Sequence, residues 1–241
     1  MNPITLDDVT RVDRNRIRLS STTLQVHAGT ITVLGGKNGS GKSTLLSLIA
    51  GELAPSSGTV ALLGRDPVGR GAQVLARERA ILDQEATAPA GFTLVEIVAW
   101  GRRCWRGTPE AAIDAAVIDQ MLNEHGIAHL AHRPAHELSG GERKRMHLAR
   151  VRAQCASVLL LDEADADLDL EGRFHLDEAI RREADTGVAV VVVSHDLRRV
   201  ARVADRIVML DAGTVVADGS PSAIATPERL ARLFGIPPES I

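Results

Sequence analysis

The sequence predicts an α/β fold with a mostly parallel central sheet. Several short apolar runs have the length and composition of parallel strands that are buried on both faces, and each is followed by a polar or glycine-containing loop. These runs lie at residues 31–34, 158–161, 188–193 and 207–210. Other segments have helical composition and spacing, as the crossovers between parallel strands require. These segments lie at residues 109–125, 141–153 and 171–184.

One further strand is predicted at an edge of the sheet. Asp211-Ala212-Gly213 stands between two apolar runs and has the composition of a hairpin turn. Residues 214–217 should therefore return antiparallel to the run at 207–210. Because ligands of open α/β sheets gather at the carboxyl ends of the parallel strands, we expect the functional residues there.

The composition limits the classes of protein that fit. A chain of 241 residues suits one large α/β domain, which we expect to span residues 1–241. With a net charge of −3 and 2% aromatic residues, the chain has no basic footprint and few stacking platforms, so nucleic acid is not an expected partner.

The cysteines and apolar runs indicate a cytosolic protein. Cys104 and Cys155 lie far apart and outside any metal-ligand spacing, which predicts reduced thiols that serve in packing. The longest apolar runs are far shorter than the roughly 20 residues of a membrane-spanning helix, and the polar N-terminus is not a signal peptide. If this protein serves a membrane, it does so from outside the bilayer.

The stretch from residue 36 to residue 44 predicts a phosphate-binding loop between a strand and a helix. Its glycines let backbone N–H groups turn inward around an anion, Lys42 adds a positive charge for the β and γ phosphates, and Ser43 offers a hydroxyl to Mg²⁺. The helix that follows points its positive N-terminus at the same anion. The stretch reads Gly36, Lys37, Asn38, Gly39, Ser40, Gly41, Lys42, Ser43 and Thr44.

Two carboxylates follow the apolar run at residues 158–161, so they should lie at the carboxyl end of a strand beside this loop. Asp162 can hold Mg²⁺ through its water shell, and Glu163 can orient and deprotonate the water that attacks the γ-phosphate. A strand that ends in Asp-Glu is common by itself. Coupled to the loop at 36–44, the pair predicts nucleotide hydrolysis.

A third motif identifies the family. In Leu138-Ser139-Gly140-Gly141-Glu142, Ser139 has the position of a helix N-cap, and a capped N-terminus with two glycines is also an anion site. With this motif in place, the sequence closely resembles an ATP-binding cassette (ABC) ATPase, the nucleotide-binding subunit of ABC transporters. The resemblance covers nearly the whole chain, and the motifs stand in the order of the family.

The resemblance implies a fold and a set of roles. The fold is a P-loop NTPase of the ABC cassette type, in which an antiparallel β subdomain accompanies the central sheet and a helical subdomain is inserted at about residues 87–153. Gln84 matches the glutamine loop, which serves catalysis and the metal, and His195 matches the switch histidine. Asp169 belongs to the loop at 166–169 that contacts the partner in a dimer. The implied ligands are ATP and Mg²⁺.

Such cassettes pair head to tail, so Ser139, Gly140 and Gly141 of one chain would complete the γ-phosphate site of a second copy. The resemblance also implies an integral-membrane permease as partner and a location on the cytoplasmic face of the cell membrane. Residues 92–103 are similar to the region that grips a permease. Leu94, Ile97, Val98 and Trp100 also have near-helical spacing and fit a core, with Phe92 and Arg102 or Arg103 outward.

The sequence departs from the family pattern in three places. Residues 9–19 lack the aromatic residue that stacks on adenine, so either base recognition is weak or Arg14 or Arg16 stacks instead. Lys37 replaces a proline that most members have. Residues 164–166, Ala-Asp-Ala, replace the commoner Pro-Thr-Ser.

The cargo is a weaker inference, by analogy alone. Residues 93–107, 201–206 and 226–235 are similar to ATPases of iron-siderophore, haem and cobalamin importers. The alternatives are the ATPase of an ABC exporter, or a soluble cassette that acts as a nucleotide-dependent switch or scaffold.

Four histidines allow one further interpretation. His125, His129, His132 and His136 are spaced by four, three and four residues and would form a metal-binding face on one helix. Gly126 and Pro134 argue against a continuous helix, so we favour the interpretation that the four histidines are solvated and lie in loops.

Overall fold

The computed structural model describes residues 2–83, 91–166, 168–235, 237 and 239. The strands are β1 (Ile4–Asp13), β2 (Arg16–Val26), β3 (Ile31–Gly36), β4 (Ser57–Leu62), β5 (Arg79–Leu82), β6 (Val158–Asp162), β7 (Ala189–Val193), β8 (Arg206–Asp211) and β9 (Thr214–Gly219). The α-helices are α1 (Lys42–Ala50), α2 (Ala72–Glu78), α3 (Leu94–Ala99), α4 (Asp114–Glu124), α5 (Gly140–Arg152), α6 (Leu170–Asp185), α7 (Leu197–Val200), α8 (Pro221–Ile224) and α9 (Pro227–Phe234).

The central sheet has six strands in the order β5-β6-β7-β3-β8-β9. All neighbours pair in parallel except β8 and β9, which form the predicted antiparallel hairpin across residues 211–213. A separate three-stranded antiparallel sheet has the order β2-β1-β4. The predicted α/β fold with a mostly parallel sheet and an antiparallel β part is therefore confirmed.

Both faces of the central sheet are buried, as the continuous apolar runs predict. Alternate residues of β7 belong to different apolar clusters, Val190 and Val192 to one and Val191 and Val193 to the other. The first cluster packs against α6, α8 and α9, and the second packs against α1 and the antiparallel sheet. This double burial fixes the register of the strands, because a shift by one residue would exchange their two faces.

A third apolar cluster joins α3, α4 and α5. It contains Leu94, Ile97 and Val98 of α3, all fully buried, so the prediction that this face serves as core is confirmed. The 3₁₀ segment Trp100–Trp105 leads on from α3 and lies against α5. None of the helices in the described part of the chain is long and apolar enough to cross a membrane.

Of the two arginines expected to point outward, Arg103 does so and Arg102 does not, and the expectation that both cysteines pack was wrong for Cys155. Arg102 is 3% exposed, because its guanidinium binds the Asp114 carboxylate at 2.7 Å and the carbonyl oxygens of Ala153 and Glu110. Arg103 is the arginine that points outward, with its guanidinium over the Trp100 ring. Cys155 is exposed rather than packed, whereas Cys104 is buried.

Gly101 sets the distance between the 3₁₀ segment and α5. A Cβ at this position would lie 2.0 Å from the carbonyl oxygen of Arg150 and 3.0 Å from the Cβ of Ala153. We therefore expect Gly101→Ala to lower the free energy of unfolding by about 1–3 kcal/mol, the usual cost of overpacking. Urea denaturation with a constant m-value would measure the change.

Gly71→Ala is the matched control, because a Cβ at Gly71 would meet no described atom within 4 Å. It should change the free energy of unfolding by only a few tenths of a kcal/mol, as for an N-terminal cap position. Equal losses in the two variants would mean that the contact of Gly101 with α5 is not tight.

Candidate functional site

The register of three parallel strands places their carboxyl ends at one level. Val193 of β7 pairs with Leu34 of β3 on one side and with Asp162 of β6 on the other. The segment 37–41 therefore leaves the sheet beside Asp162, Glu163 and His195. These residues are far apart in sequence, and only the parallel pairing brings them together.

The loop after β3 has the conformation of an anion cradle. Gly36, Gly39 and Gly41 all have positive φ angles, of 141°, 77° and 108°. Gly36 also allows close approach, since a Cβ there would lie 2.2 Å from the carbonyl oxygen of Leu210. Helix α1 begins at Lys42, directly after the loop, so its N-terminal N–H groups face the cradle.

Lys42 is held across the loop. It is 5% exposed, and its Nζ donates to the carbonyl oxygens of Gly36 at 2.9 Å and Lys37 at 3.1 Å. Burial lowers the pKa of the ammonium, while the charges of Glu163 and Asp162 act in the opposite direction. A buried ammonium beside two carboxylates is suited to a strongly negative ligand.

Asp162 has the features of a cation ligand. Its Oδ1 is buried and has no hydrogen-bond partner among the described residues. Burial, followed by the charge of Glu163, raises the pKa of the carboxyl, with Ser43 acting in the opposite direction. An unpartnered carboxylate oxygen in an apolar environment is costly unless a cation or hydrogen bond satisfies it. The chemistry of Asp162 and Ser43, a carboxylate and a hydroxyl, therefore fits Mg²⁺.

Glu163 and His195 are in contact. The distance between Glu163 Oε1 and His195 Nε2 is 2.8 Å, and the side chains are 23% and 45% exposed. Glu163 has a positive φ of 48°, and its N–H donates to the carbonyl oxygen of Val193 at 3.1 Å. A non-glycine residue in this conformation is uncommon, and such residues often lie at functional sites.

A cavity of about 280 Å³ lies beside the loop. It is lined by Gly39, residues 41–44 and Ala212, together with Arg16, Ile17 and Arg18 of β2. Of the two arginines that could replace the missing aromatic residue, only Arg16 is among the described residues that line the cavity. Sequence analysis did not predict Ile17, which is 61% exposed and offers the cavity an apolar surface.

Sequence analysis also missed the support behind the loop. Gly213 N–H donates to the carbonyl oxygen of Ser40 at 2.9 Å, and Ser20 N–H donates to the carbonyl oxygen of Gly213 at 2.7 Å. The hairpin turn between β8 and β9 thus supports the phosphate loop through a backbone hydrogen bond. These contacts are between backbone atoms, so no side-chain pattern in the sequence indicates them.

Four of the remaining predicted residues, all on α5 or at the start of α6, are not in the described lining of the loop cavity. Ser139 is the N-cap of α5, with reciprocal hydrogen bonds to Glu142, and the described lining of the loop cavity does not include it. Asp169 is the N-cap of α6, where its Oδ1 accepts from Gly172 N–H at 2.8 Å. Gln84 lies outside the described residues. Gly140 and Gly141 lie in the first turn of α5; a Cβ at Gly140 would meet no described atom within 4 Å, and one at Gly141 would lie 3.8 Å from Arg145 Nη1.

The four histidines do not form a common face. His125 is buried beside Arg152, with 3.2 Å between its Nε2 and the guanidinium, while burial lowers its pKa to about 3. His129 and His136 belong to separate 3₁₀ turns. Within residues 2–83, 91–166 and 168–235, no group of three or more His, Cys, Asp or Glu side chains is placed to hold a metal ion.

Comparison with known proteins gives consistent matches. Residues 19–166 match the family described as ABC transporter. The hemin import ATP-binding protein HmuV of Nocardia farcinica is 46% identical over 217 residues, which cover 89% of this chain and 74% of that protein. The protein of the same name from Rhodococcus jostii is 41% identical over 223 residues, which cover 92% of this chain and 76% of that protein.

Solved structures share the fold. The ADP conformation of an ATP-binding cassette of an ABC transporter has a TM-score of 0.84 at 20% identity, with 97% of this chain and 98% of that chain covered. The structure of cbiO1 from Clostridium perfringens, part of the transporter complex cbiONQ, has a TM-score of 0.83 at 26% identity, with 96% and 93% covered.

Buried His147 on α5 predicts how the free energy of unfolding changes with pH. It is 4% exposed, neither ring nitrogen has a partner among the described residues, and burial lowers its pKa from 6.5 to about 4. Because the unfolded chain binds the proton first, stability should fall as the pH drops from about 6.5 to about 4, by up to about 3 kcal/mol from this group. Urea denaturation across this range would measure the fall.

His147→Gln should reduce this pH dependence, because glutamine does not titrate. His175→Gln is the control for removal of an imidazole from an exposed position, since His175 is 46% exposed. If His147→Gln and the unmodified chain lost the same stability between pH 6.5 and pH 4, the buried neutral state of His147 would be refuted.

Proposed function

Because this chain belongs to the ABC transporter family as one of its ATP-binding cassettes, we propose that it is the ATP-hydrolysing subunit of an importer for haem or a related iron chelate such as an iron-siderophore. The observation that carries the ATPase role is the level alignment of β3, β6 and β7, which gathers the phosphate loop, two carboxylates and a histidine at one edge. The cargo is supported by the names of the two bacterial relatives.

The phosphate loop binds the nucleotide in this proposal. Backbone N–H groups of residues 36–44 and the N-terminus of α1 receive the phosphates, and Lys42 moves its hydrogen bonds from the Gly36 and Lys37 carbonyl oxygens to phosphate oxygens. Ser43 and Asp162, together with Gln84, would hold Mg²⁺. The metal would supply charge neutralisation for the phosphates.

Glu163 and His195 carry the hydrolytic step. Glu163 accepts a proton from the attacking water and orients that water toward the γ-phosphate. His195 contacts the Glu163 carboxylate at 2.8 Å before the nucleotide arrives and would contact the γ-phosphate afterwards. Nucleotide binding would move the His195 contact from the Glu163 carboxylate to the γ-phosphate. This move would link nucleotide binding to the alignment of Glu163 as the general base.

A second copy of the chain completes the site. Ser139, Gly140 and Gly141 lie at an open helix N-terminus that does not line the loop cavity of its own chain. Such an N-terminus is suited to an anion, and the γ-phosphate held by the partner is the natural candidate. Asp169 and the loop before it then lie at the contact between the two copies.

The permease binds the helical part of the chain, which we propose is a subdomain at about residues 87–153 with the cluster of α3, α4 and α5 as its own core. Phe92 is 38% exposed and packs edge-on against Trp100. The guanidinium carbon of Arg103 lies 4.9 Å from the centroid of the Trp100 ring. An aromatic pair with a cation is typical of protein interfaces. This contact would place the subunit at the cytoplasmic face of the membrane.

Substitution of the general base tests the ATPase role. Glu163→Gln keeps the size of the side chain and one acceptor oxygen but removes its basicity, so we expect kcat for ATP to fall by about 10² to 10⁴. Affinity for ATP should stay within about threefold, because the phosphate loop is unchanged. Phosphate release and calorimetric titration would measure the two quantities.

Glu228→Gln is the matched control, as Glu228 lies exposed on α9. It should hydrolyse ATP at the rate of the unmodified chain. Retention of full activity in Glu163→Gln would remove Glu163 as the base, and absence of magnesium-dependent hydrolysis in the unmodified chain, with permease present, would refute the proposed activity.

A further inference from the structure

Asp165 lies directly after the proposed catalytic segment and is buried. It is 9% exposed, and it stands where the sequence departs from the commoner Pro-Thr-Ser of related cassettes. Its Oδ2 accepts from the Ser194 hydroxyl at 2.8 Å and from Arg199 Nη2 at 2.6 Å. The loop after β6 is therefore bound both to the end of β7 and to helix α7.

Arg199 extends this contact to α6. Its Nη1 donates to Asp177, so the guanidinium lies between two carboxylates. The side chains of Asp165, Arg199 and Asp177 are 11%, 13% and 13% exposed. Burial raises the pKa of the Asp177 carboxyl, and the Arg199 charge acts in the opposite direction. Charged groups at this depth are costly without such partners, so the arrangement is strongly constrained.

The two neighbours of His195 are both tied to this network. Ser194 donates to Asp165 and accepts from the Asp196 N–H at 3.1 Å. Asp196 in turn accepts from the Arg199 N–H through its Oδ1 at 3.1 Å. His195 thus projects from a turn whose flanking residues are fixed by a carboxylate two positions after Glu163.

The same segment is held on its other side. The Glu163 N–H donates to the carbonyl oxygen of Val193, and the Ala166 N–H donates to the carbonyl oxygen of Glu163 at 3.0 Å. These two backbone hydrogen bonds and the contacts of Asp165 together hold Glu163 in its conformation with positive φ. Loss of the Asp165 carboxylate would free both the turn at 194–196 and the segment that carries Glu163.

We propose that Asp165, with Arg199, is a positioning residue that holds Glu163 and His195 at the distance that hydrolysis requires. The proposal rests on the proposed ATPase function but concerns different residues. Small displacements of reacting groups are expensive, since a misplacement of about 1 Å can lower a rate by about 10². Asp165 and Arg199 touch neither the phosphate loop nor, in this proposal, the nucleotide.

Asp165→Ala tests this role by the division between kcat and KM. We expect kcat for ATP to fall by about ten- to a hundredfold, with KM within about twofold, because alignment is lost and the phosphate loop is intact. Asp165→Asn keeps an acceptor oxygen for Ser194 and should recover most of kcat. Asp185→Ala is the control, because it removes an aspartate whose partner Arg181 lies one turn away on the exposed face of α6.

A double-mutant cycle with His195→Ala separates positioning from a general loss of structure. Because Asp165 holds both His195 and the segment that carries Glu163, Asp165→Ala should still lower kcat in a chain that already carries His195→Ala, but by a clearly smaller factor than in the unmodified chain. Full multiplication of the two losses would overturn the proposal, as would an unchanged kcat in Asp165→Ala. Neither result would affect the proposed ATPase function, which Glu163→Gln tests separately.

Hydrogen exchange of the nucleotide-free chain gives a readout that does not depend on activity. Peptides that cover residues 193–199 should exchange faster in Asp165→Ala than in the unmodified chain, because the Ser194 anchor is lost. Asp185→Ala should leave these peptides unchanged. If Asp165→Ala does not fold, Asp165→Thr keeps a hydroxyl for Ser194 but cannot pair with Arg199, and it should show a smaller kcat loss in the same direction; an unchanged kcat there would also overturn the proposal.

Discussion

The position of Val193 in the sheet is the constraint on which the site depends. Its backbone lies between Leu34 of β3 and Asp162 of β6, so three strand ends stand at one level. Burial of both sheet faces in separate apolar clusters opposes a register shift, because a shift by one residue would move each side chain out of the cluster that it packs in and into the other. The packing of the core therefore sets the distances between the phosphate loop, Asp162, Glu163 and His195.

Around this edge, the chain uses different interactions for different tasks. Glycines with positive φ shape the loop, and the hairpin turn at Gly213 supports it through backbone bonds. Buried charges order the other side, where Asp165 and Arg199 join the loop after β6 to the turn that carries His195. Ser139 and its two glycines lie at the N-terminus of α5, which a capping box with Glu142 ends. In the proposed function, each of these two places would supply one half of a nucleotide site.

Sequence patterns predicted the parts of this structure that depend on local composition. The apolar runs gave β3, β6, β7 and β8, and the turn at 211–213 gave the antiparallel edge. The burial of Arg102 was missed because its partners, Asp114 and the Ala153 carbonyl oxygen, come from two other segments. The Asp165–Arg199 pair spans 34 positions and has no periodicity, and the support of Ser40 by Gly213 involves backbone atoms alone. Such contacts form between residues that are far apart in the sequence, so a local sequence pattern cannot predict them.

The central claim is that the nucleotide site is complete only between two copies of the chain. Light scattering of Glu163→Gln during size-exclusion chromatography tests it most directly, since ATP is then bound without being consumed. The account predicts a dimer with ATP and magnesium and a monomer with ADP, and it predicts that a bulky substitution at Gly141 returns the ATP-bound chain to a monomer. A monomer that binds ATP tightly in Glu163→Gln, or a dimer that is indifferent to nucleotide, would contradict the account.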